Sequence, residues 1–432
     1  MEVATAIGLI LIGALVILTA SGLWIALGLA GIGIVMFYFF LPPMMMRMIE
    51  PILFNTVNDF VLAAIPLFIF MGSLLYKGDV ATKIYKGLGK LVSLLPGGLL
   101  QTNIISCAIF GACSGSSLAG AATMGTLAVR ELSGQGYQRS TVLGSLAAGG
   151  TLATMIPPSI LFIIYGSFAS ESVAKLFIAG IVPALILVGA FMVYIMVLAM
   201  MNPAVTPRQP RASFWEILTS LRMLFAPVGL IVAVLGSIYT GVATPTESAA
   251  VGSLGALLIL AFDGKLKLSV VLDAARMSAR TTCMIALLMI GTKIISVALS
   301  VLRIPATVSM WIGQLPADPW MIAVMIVLFY ILLGMLIEGT SMFFLTFPVV
   351  FPLMMSLGYD PIWFGVMMAL FIEMSLITPP IGLNLFIIQQ VAGERSLAPV
   401  IRGSFPFFLI MVTVTMLFIA FPEIVLWLPN KL

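Results

Sequence analysis

A chain of 432 residues with only 8% Asp, Glu, Lys and Arg, and 62% apolar side chains, cannot clothe itself for water, since soluble domains carry roughly 25% charged residues. No histidine is present, and Cys107, Cys113 and Cys283 all lie in apolar segments, so neither imidazole chemistry, a disulfide framework nor a metal signature is encoded. The net charge of +4 is spread over short loops, as expected of basic loops on a cytoplasmic membrane face and not of a nucleic-acid footprint.

Charge is absent over the 44 residues between Glu2 and Arg47 and the 39 between Lys90 and Arg130. Further uncharged runs cover 140–170, 176–207, 223–246, 319–337, 339–359, 374–393 and 403–422. About 20 helical residues cross the ~30 Å hydrocarbon core, and backbone in lipid must satisfy its own hydrogen bonds. Stretches such as 185–200 and 321–335 lack the alternation of a membrane β-barrel. The expectation is an all-α polytopic membrane protein with about 10–12 transmembrane helices. The first run has no basic start and extends to Met46. It reads as one or two true spans broken near Ser21–Gly22, not as a secretory signal.

In chain order, residues 1–60 form N-terminal scaffold helices and 61–201 a first repeat. Residues 202–222 form a basic cytoplasmic connection, 223–400 a second repeat and 401–432 a C-terminal helix. The connection carries Arg208, Arg211 and Arg222, and a second basic stretch, 263–280, is two spans downstream. Both therefore face one side. The basic stretch 77–90 breaks a simple alternation, which requires some apolar segments to enter and leave on one side. The repeat rests on two pairs in one register: Gly136-Tyr137 recurs as Gly358-Tyr359, and Pro157-Pro158 as Pro379-Pro380, both 222 residues on. Weak internal repeats of this kind mark secondary transporters.

Four segments carry the candidate chemistry. Ser114, Gly115, Ser116 and Ser117 lie in the run 91–129, which is too long for one span, so a re-entrant hairpin is expected near 98–130. Its alternative is a small-residue packing patch. Thr151, Thr154, Pro157 and Pro158 mark a broken helix near 151–159, because proline withholds an N–H and clashes with the preceding turn. Glu338, Gly339, Thr340 and Ser341 interrupt a second apolar stretch, giving a second hairpin near 320–357. Glu338 there is a cation or proton ligand, a helix cap, or an interfacial residue. Thr378, Pro379, Pro380 and Asn384 mark a second broken helix near 374–384. Hydroxyls and freed carbonyls at these places are hard oxygen donors that suit Na⁺, whereas half-helix N-termini suit an anion. Lys293 is a candidate extra cation.

Together, 65–72, 111–125, 136–160, 241–250, Gly358-Tyr359 and 378–386 resemble the large membrane (permease) subunit of tripartite ATP-independent periplasmic (TRAP) transporters, the DctM-like family. The resemblance covers essentially the whole chain. It implies inverted structural repeats, an elevator-type transport domain on a scaffold, and sodium sites at the hairpin tips and unwound helices. It also implies Na⁺ as coupling ion with no other cofactor, and an organic-acid substrate such as a C4-dicarboxylate or sialic acid. Its partners would be a small four-helix membrane subunit, a periplasmic substrate-binding protein and membrane lipid, with no nucleic acid, in the bacterial inner membrane. No GxxxxGK[ST] phosphate loop is present. The other readings are a stand-alone ion-coupled dicarboxylate or anion transporter and, less well matched to these residues, an integral membrane enzyme.

Overall fold

The computed structural model describes residues 13, 24–92, 95–202, 205–207, 213–314 and 316–431. The expected break near Ser21–Gly22 and the arginines Arg208 and Arg211 lie outside the described residues. Every regular element among the described residues is helical. In chain order the helices begin with α1 (Ile25–Phe40), α2 (Ile49–Val57), α3 (Ala64–Lys77) and α4 (Val80–Leu91). Then come α5 (Leu99–Ser114), α6 (Ser117–Leu132), α7 (Arg139–Thr151), α8 (Ile160–Ala169) and α9 (Val173–Met201). A pair, α10 (Phe214–Tyr239) and α11 (Pro245–Phe262), leads to α12 (Leu268–Val301) and α13 (Ile304–Gly313). The chain closes with α14 (Pro319–Gly334), α15 (Gly339–Ser356), α16 (Pro361–Ile377), α17 (Leu383–Ala392), α18 (Ala398–Ala420) and the short α19 (Glu423–Leu426). Seven helices among the described residues are long and apolar enough to cross a membrane, and seven more are shorter apolar helices of 10–17 residues. The C-terminal helix starts earlier than expected, at Ala398, because Pro399 sits in its first turn, where a missing N–H costs nothing.

The element order of the first half recurs in the second. Helices α7 and α16 begin at Arg139 and Pro361, again 222 residues apart. Helices α4 and α13 each follow a residue in the left-handed region, Asp79 (φ 60°) and Arg303 (φ 56°). In both halves a short helix, two helices joined by a tight tip, a Gly-Tyr turn and a helix broken at Pro-Pro then follow in the same order.

The first halves of the broken helices form the centre. In α7 every residue from Thr141 to Thr151 is buried, and in α16 every residue from Ile362 to Ile377. A helix buried all round must be apolar or small on every face, and α7 achieves this with alanine, glycine and serine. Its approach to α18 is close enough that a Cβ on Gly144 would stand 2.0 Å from the Gly403 carbonyl carbon. Small residues at such crossings let membrane helices pack through van der Waals contact.

Ion pairs collect the basic stretches on one face. Lys83 pairs with Asp263, Lys265 with Asp79 at 3.3 Å, and Lys90 with Glu216 at 3.1 Å. Residues 77–90, the start of α10 and the α11–α12 turn therefore share a side, and the hairpins account for the broken alternation. Partial burial opposes the Asp79 carboxylate, yet hydrogen bonds from Thr82 and Lys265 outweigh it and hold the carboxyl below its ordinary value. Substituting Gly144→Val or Gly403→Val is expected to cost at least about 1–3 kcal/mol by overpacking. Thermal unfolding of purified protein checks this against Gly229→Ala, whose Cβ meets nothing within 4 Å.

Candidate functional site

The first hairpin is made by two residues. Gly115 takes φ 61°, which an L-residue enters at a cost of about 1–2 kcal/mol, and its N–H donates to the Gly111 carbonyl at 2.7 Å. Ser116 is extended and its Oγ accepts from Ala119 N at 3.4 Å, so α6 starts with a serine cap. The hairpin reading therefore holds over the packing-patch reading, although Gly72 of α3 does pack on the tip: a Cβ there would lie 2.6 Å from Ser114 Cα.

The second tip is built on a carboxylate. Glu338 Oε1 accepts from Thr340 N and Oε2 from Ser341 N, both at 2.9 Å. Of the roles left open by the sequence, it fills that of a partly exposed helix cap with both oxygens engaged.

Each broken helix unwinds at its proline pair, and both Pro-Pro bonds are cis. After α7, residues Leu152–Thr154 form a single 3-10 turn, and α8 starts only at Ile160. The Thr154 carbonyl, freed by the break, accepts from Ser159 Oγ. The second break is narrower than the expected 374–384: α16 runs to Ile377, and only Thr378–Gly382 is irregular. Turn bonds explain this, since Thr378 N donates to Ser375 O at 3.4 Å and Gly382 N to Thr378 O at 3.0 Å.

The first tip rests on the break of its own half, and the second on the last turn of α16, just before its break. Ser117 Oγ donates to the Thr151 carbonyl at 3.2 Å, and a Cβ on Gly115 would stand 3.5 Å from the Pro158 carbonyl oxygen. A Cβ on Gly339 would lie 2.8 Å from Ser375 Oγ, and one on Gly334 2.7 Å from Ser375 Cβ. The halves then exchange their second segments. In α8, Tyr165 packs edge-on against Phe347 and Phe364 and donates to the Pro361 carbonyl. In α17, Asn384 Nδ2 donates to the Ala147 carbonyl of α7 at 3.2 Å. Asn384 thus joins the halves from the first turn of α17, directly after the unwound segment; its Oδ1 is buried with no partner among the described residues. The Thr151 and Thr378 hydroxyls donate to Ala148 and Met374 carbonyls at 2.8 and 2.6 Å.

Glu373 was not singled out from sequence, yet it sits where the two broken helices meet. It is fully buried in α16, and its Oε1 lies 3.0 Å from Thr154 Oγ1 of the opposite half. Its Oε2 has no hydrogen-bond partner within ordinary distance and angle among the described residues. A carboxyl so placed must be compensated by a proton or a cation. The readable signal was a lone acid after the twelve uncharged residues 361–372 and six residues before Pro379-Pro380.

The family model described as "Tripartite ATP-independent periplasmic transporter, DctM component" matches residues 12–424. The chain belongs to this family. It is 33% identical to the C4-dicarboxylate TRAP transporter large permease protein DctM of Pseudomonas aeruginosa, over 94% of both chains. It is 32% identical to the ectoine/5-hydroxyectoine TRAP transporter large permease protein UehC of Ruegeria pomeroyi, over 85% of both. The sialic acid TRAP transporter permease protein SiaT of Haemophilus influenzae is 31% identical, over 87% of this chain and 61% of that longer one. Among solved structures, the Alcanivorax borkumensis YdaH transporter shares the fold, with a TM-score of 0.63 over 96% of this chain and 98% of that one at 15% identity. The chain is therefore a TRAP transporter large permease, a multi-pass inner-membrane transport protein and not an enzyme. The tripartite family implies a substrate-binding protein and a small membrane subunit beside it.

Glu338→Ala is expected to lower stability by about 1 kcal/mol, while Glu338→Asn, which also caps, keeps most of it. In Na⁺ titrations of uptake, the Glu338→Asn protein should keep its half-saturation within about twofold. A tenfold shift would mean that the carboxylate holds the ion.

Proposed function

We propose that this large permease imports an organic anion by Na⁺-coupled alternating access, taking it from the periplasmic binding protein. The observation that carries the reading is that the first hairpin tip abuts the break of its own half and the second abuts the last turns of α16 before its break, while the halves are clasped by exchanged segments and the Glu373–Thr154 contact. Helix C-termini at α5 and α7, with the hydroxyls of Ser114, Ser116, Thr154 and Thr378, offer only hard oxygens, the donor set Na⁺ takes. Helix N-termini at α6 and α8 supply a positive end to an anion.

The two tips differ in charge, and this orients the substrate. Glu338 neutralises the positive end of α15, whereas α6 is capped by the uncharged Ser116. The anion therefore sits nearer Ser116–Ser117 than Glu338. Na⁺ at the unwound segments offsets its charge, and an inward Na⁺ gradient and membrane potential drive accumulation. The clasped hairpins and broken helices move as one body against a scaffold that includes α3, α10, α11 and α12, with the basic face in the cytoplasm.

Ser116→Ala/Ser117→Ala and Thr378→Ala are expected to weaken Na⁺-dependent uptake without lowering the amount inserted in the membrane. Uptake into proteoliposomes containing the permease, its small membrane subunit and its binding protein, measured against external Na⁺, checks this. Uptake that persists unchanged when Na⁺ is replaced by K⁺ would overturn the coupling.

A further inference from the structure

A cavity of about 340 Å³ lies between α2, the Asp59 turn, α8 and α12. It falls within the size range of small-molecule sites, about 300–1,000 Å³. Its polar wall consists of Asn55, Thr56, Asp59, Ser167 and Lys293, and aliphatic side chains complete it. Lys293 is its one cation among the described residues. It lies well inside α12, with no charged residue from 281 to 302 other than itself. It makes no salt bridge among the described residues. Its ammonium is held 4.4 Å from the centre of the Phe168 ring, and Phe168 packs edge-on against Phe343, Phe344 and Phe347 of α15. An ammonium inside a membrane protein that is steadied by a ring and lacks an ion pair retains its capacity to bind an anion.

Asp59 sets the other limit. Its Oδ2 accepts from Ser167 Oγ at 2.6 Å and its Oδ1 from Val61 N at 3.0 Å. It acts on Lys293 across the cavity but stands beyond ion-pair distance. With both oxygens bonded, it stays in place as a fixed negative wall. A ligand carboxylate paired with Lys293 leaves room for neutral hydrogen-bonding groups toward Asn55 and Thr56. A second carboxylate would meet Asp59.

We propose that this cavity is an anion-binding station on the transport route that takes organic anions with a single carboxylate and hydroxyl groups, and discriminates against dicarboxylates. Lys293 recognises the carboxylate, and Asp59 supplies the repulsion that specificity needs alongside attraction. Because Ser167 and Phe168 belong to the broken-helix body while Asp59 and Lys293 belong to the elements around it, the station spans the boundary at which that body would move. The inference rests on the reading of the permease as an organic-anion carrier.

The test is binding, measured without transport. The full chain in phosphatidylcholine nanodiscs is treated with an amine-acylating reagent in Na⁺ buffer, with sodium gluconate or sodium succinate as probe. Acylation at Lys293 is read by peptide mass spectrometry, with Lys265, which pairs with Asp79, as internal reference. Gluconate is expected to slow Lys293 acylation by about tenfold at saturation, with a half-effect at a concentration at least about tenfold below that of succinate. Asp59→Asn should narrow that gap. Lys293 acylation unaffected by gluconate, or slowed equally by succinate, overturns the proposal. So does slowing by phosphatidylglycerol discs alone, which would assign the cavity to a lipid headgroup. Lys293 left unprotected while Na⁺-dependent uptake persists sinks the station alone, whereas uptake indifferent to Na⁺ sinks the coupling reading.

Discussion

The structure depends on one constraint: a backbone group freed inside an apolar slab must find its partner within the protein. Each one left unpaired costs several kcal/mol. A helix can therefore stop in the membrane only where neighbours supply atoms, and all four interruptions obey this rule. Gly115 turns back onto Gly111, Glu338 takes two N–H groups, Ser159 takes the Thr154 carbonyl, and Gly382 donates to Thr378. The tips lie on or just before the proline breaks, where polar atoms are to be had. The same atoms that make the breaks tolerable are those able to exchange a protein partner for an ion.

The second consequence is mechanical. If each half packed only on itself, its hairpin and broken helix could shift alone. Instead α8 seats its aromatic rings against α15 and α16, and α17 reaches α7 through Asn384. Glu373 and Thr154 join the two broken helices at the centre. In the proposed mechanism, binding at one break is felt at the other through these shared contacts. The Gly144–Gly403 approach fixes α18 to the same body. Charge complements this arrangement, since the ion pairs are gathered on one face, away from the apolar core.

How much of this was legible follows from what membrane sequence patterns record. Interruptions of an apolar run are visible because glycine, serine and proline stand out against leucine, so Gly115–Ser116 and both Pro-Pro pairs were readable. The 222-residue register of Gly-Tyr and Pro-Pro carried the repeat. Partnerships across the chain left no such trace. Glu373 looks like a routine acid bounding the run 374–393 until α7 brings Thr154 to it. Asn384 reads as a ligand beside Pro380, and the sequence gives no sign that its Nδ2 donates to the Ala147 carbonyl of the other half. Glu338 was open among three roles because a cap and an ion ligand require the same residue at the same spacing. The two bonds to Thr340 and Ser341 show the cap. The cavity around Lys293 draws on three distant segments, and no local pattern announces it.

The central claim is that the two tips and the two breaks are one ion-responsive centre. Hydrogen–deuterium exchange of the purified permease in Na⁺ against K⁺ at equal ionic strength tests it most directly. The account predicts that Na⁺ slows exchange together in 111–119, 151–160, 336–342 and 375–385, with the scaffold helices α10 and α11 unchanged. Exchange identical in the two salts, or Na⁺ protection confined to one half of the chain, would contradict it.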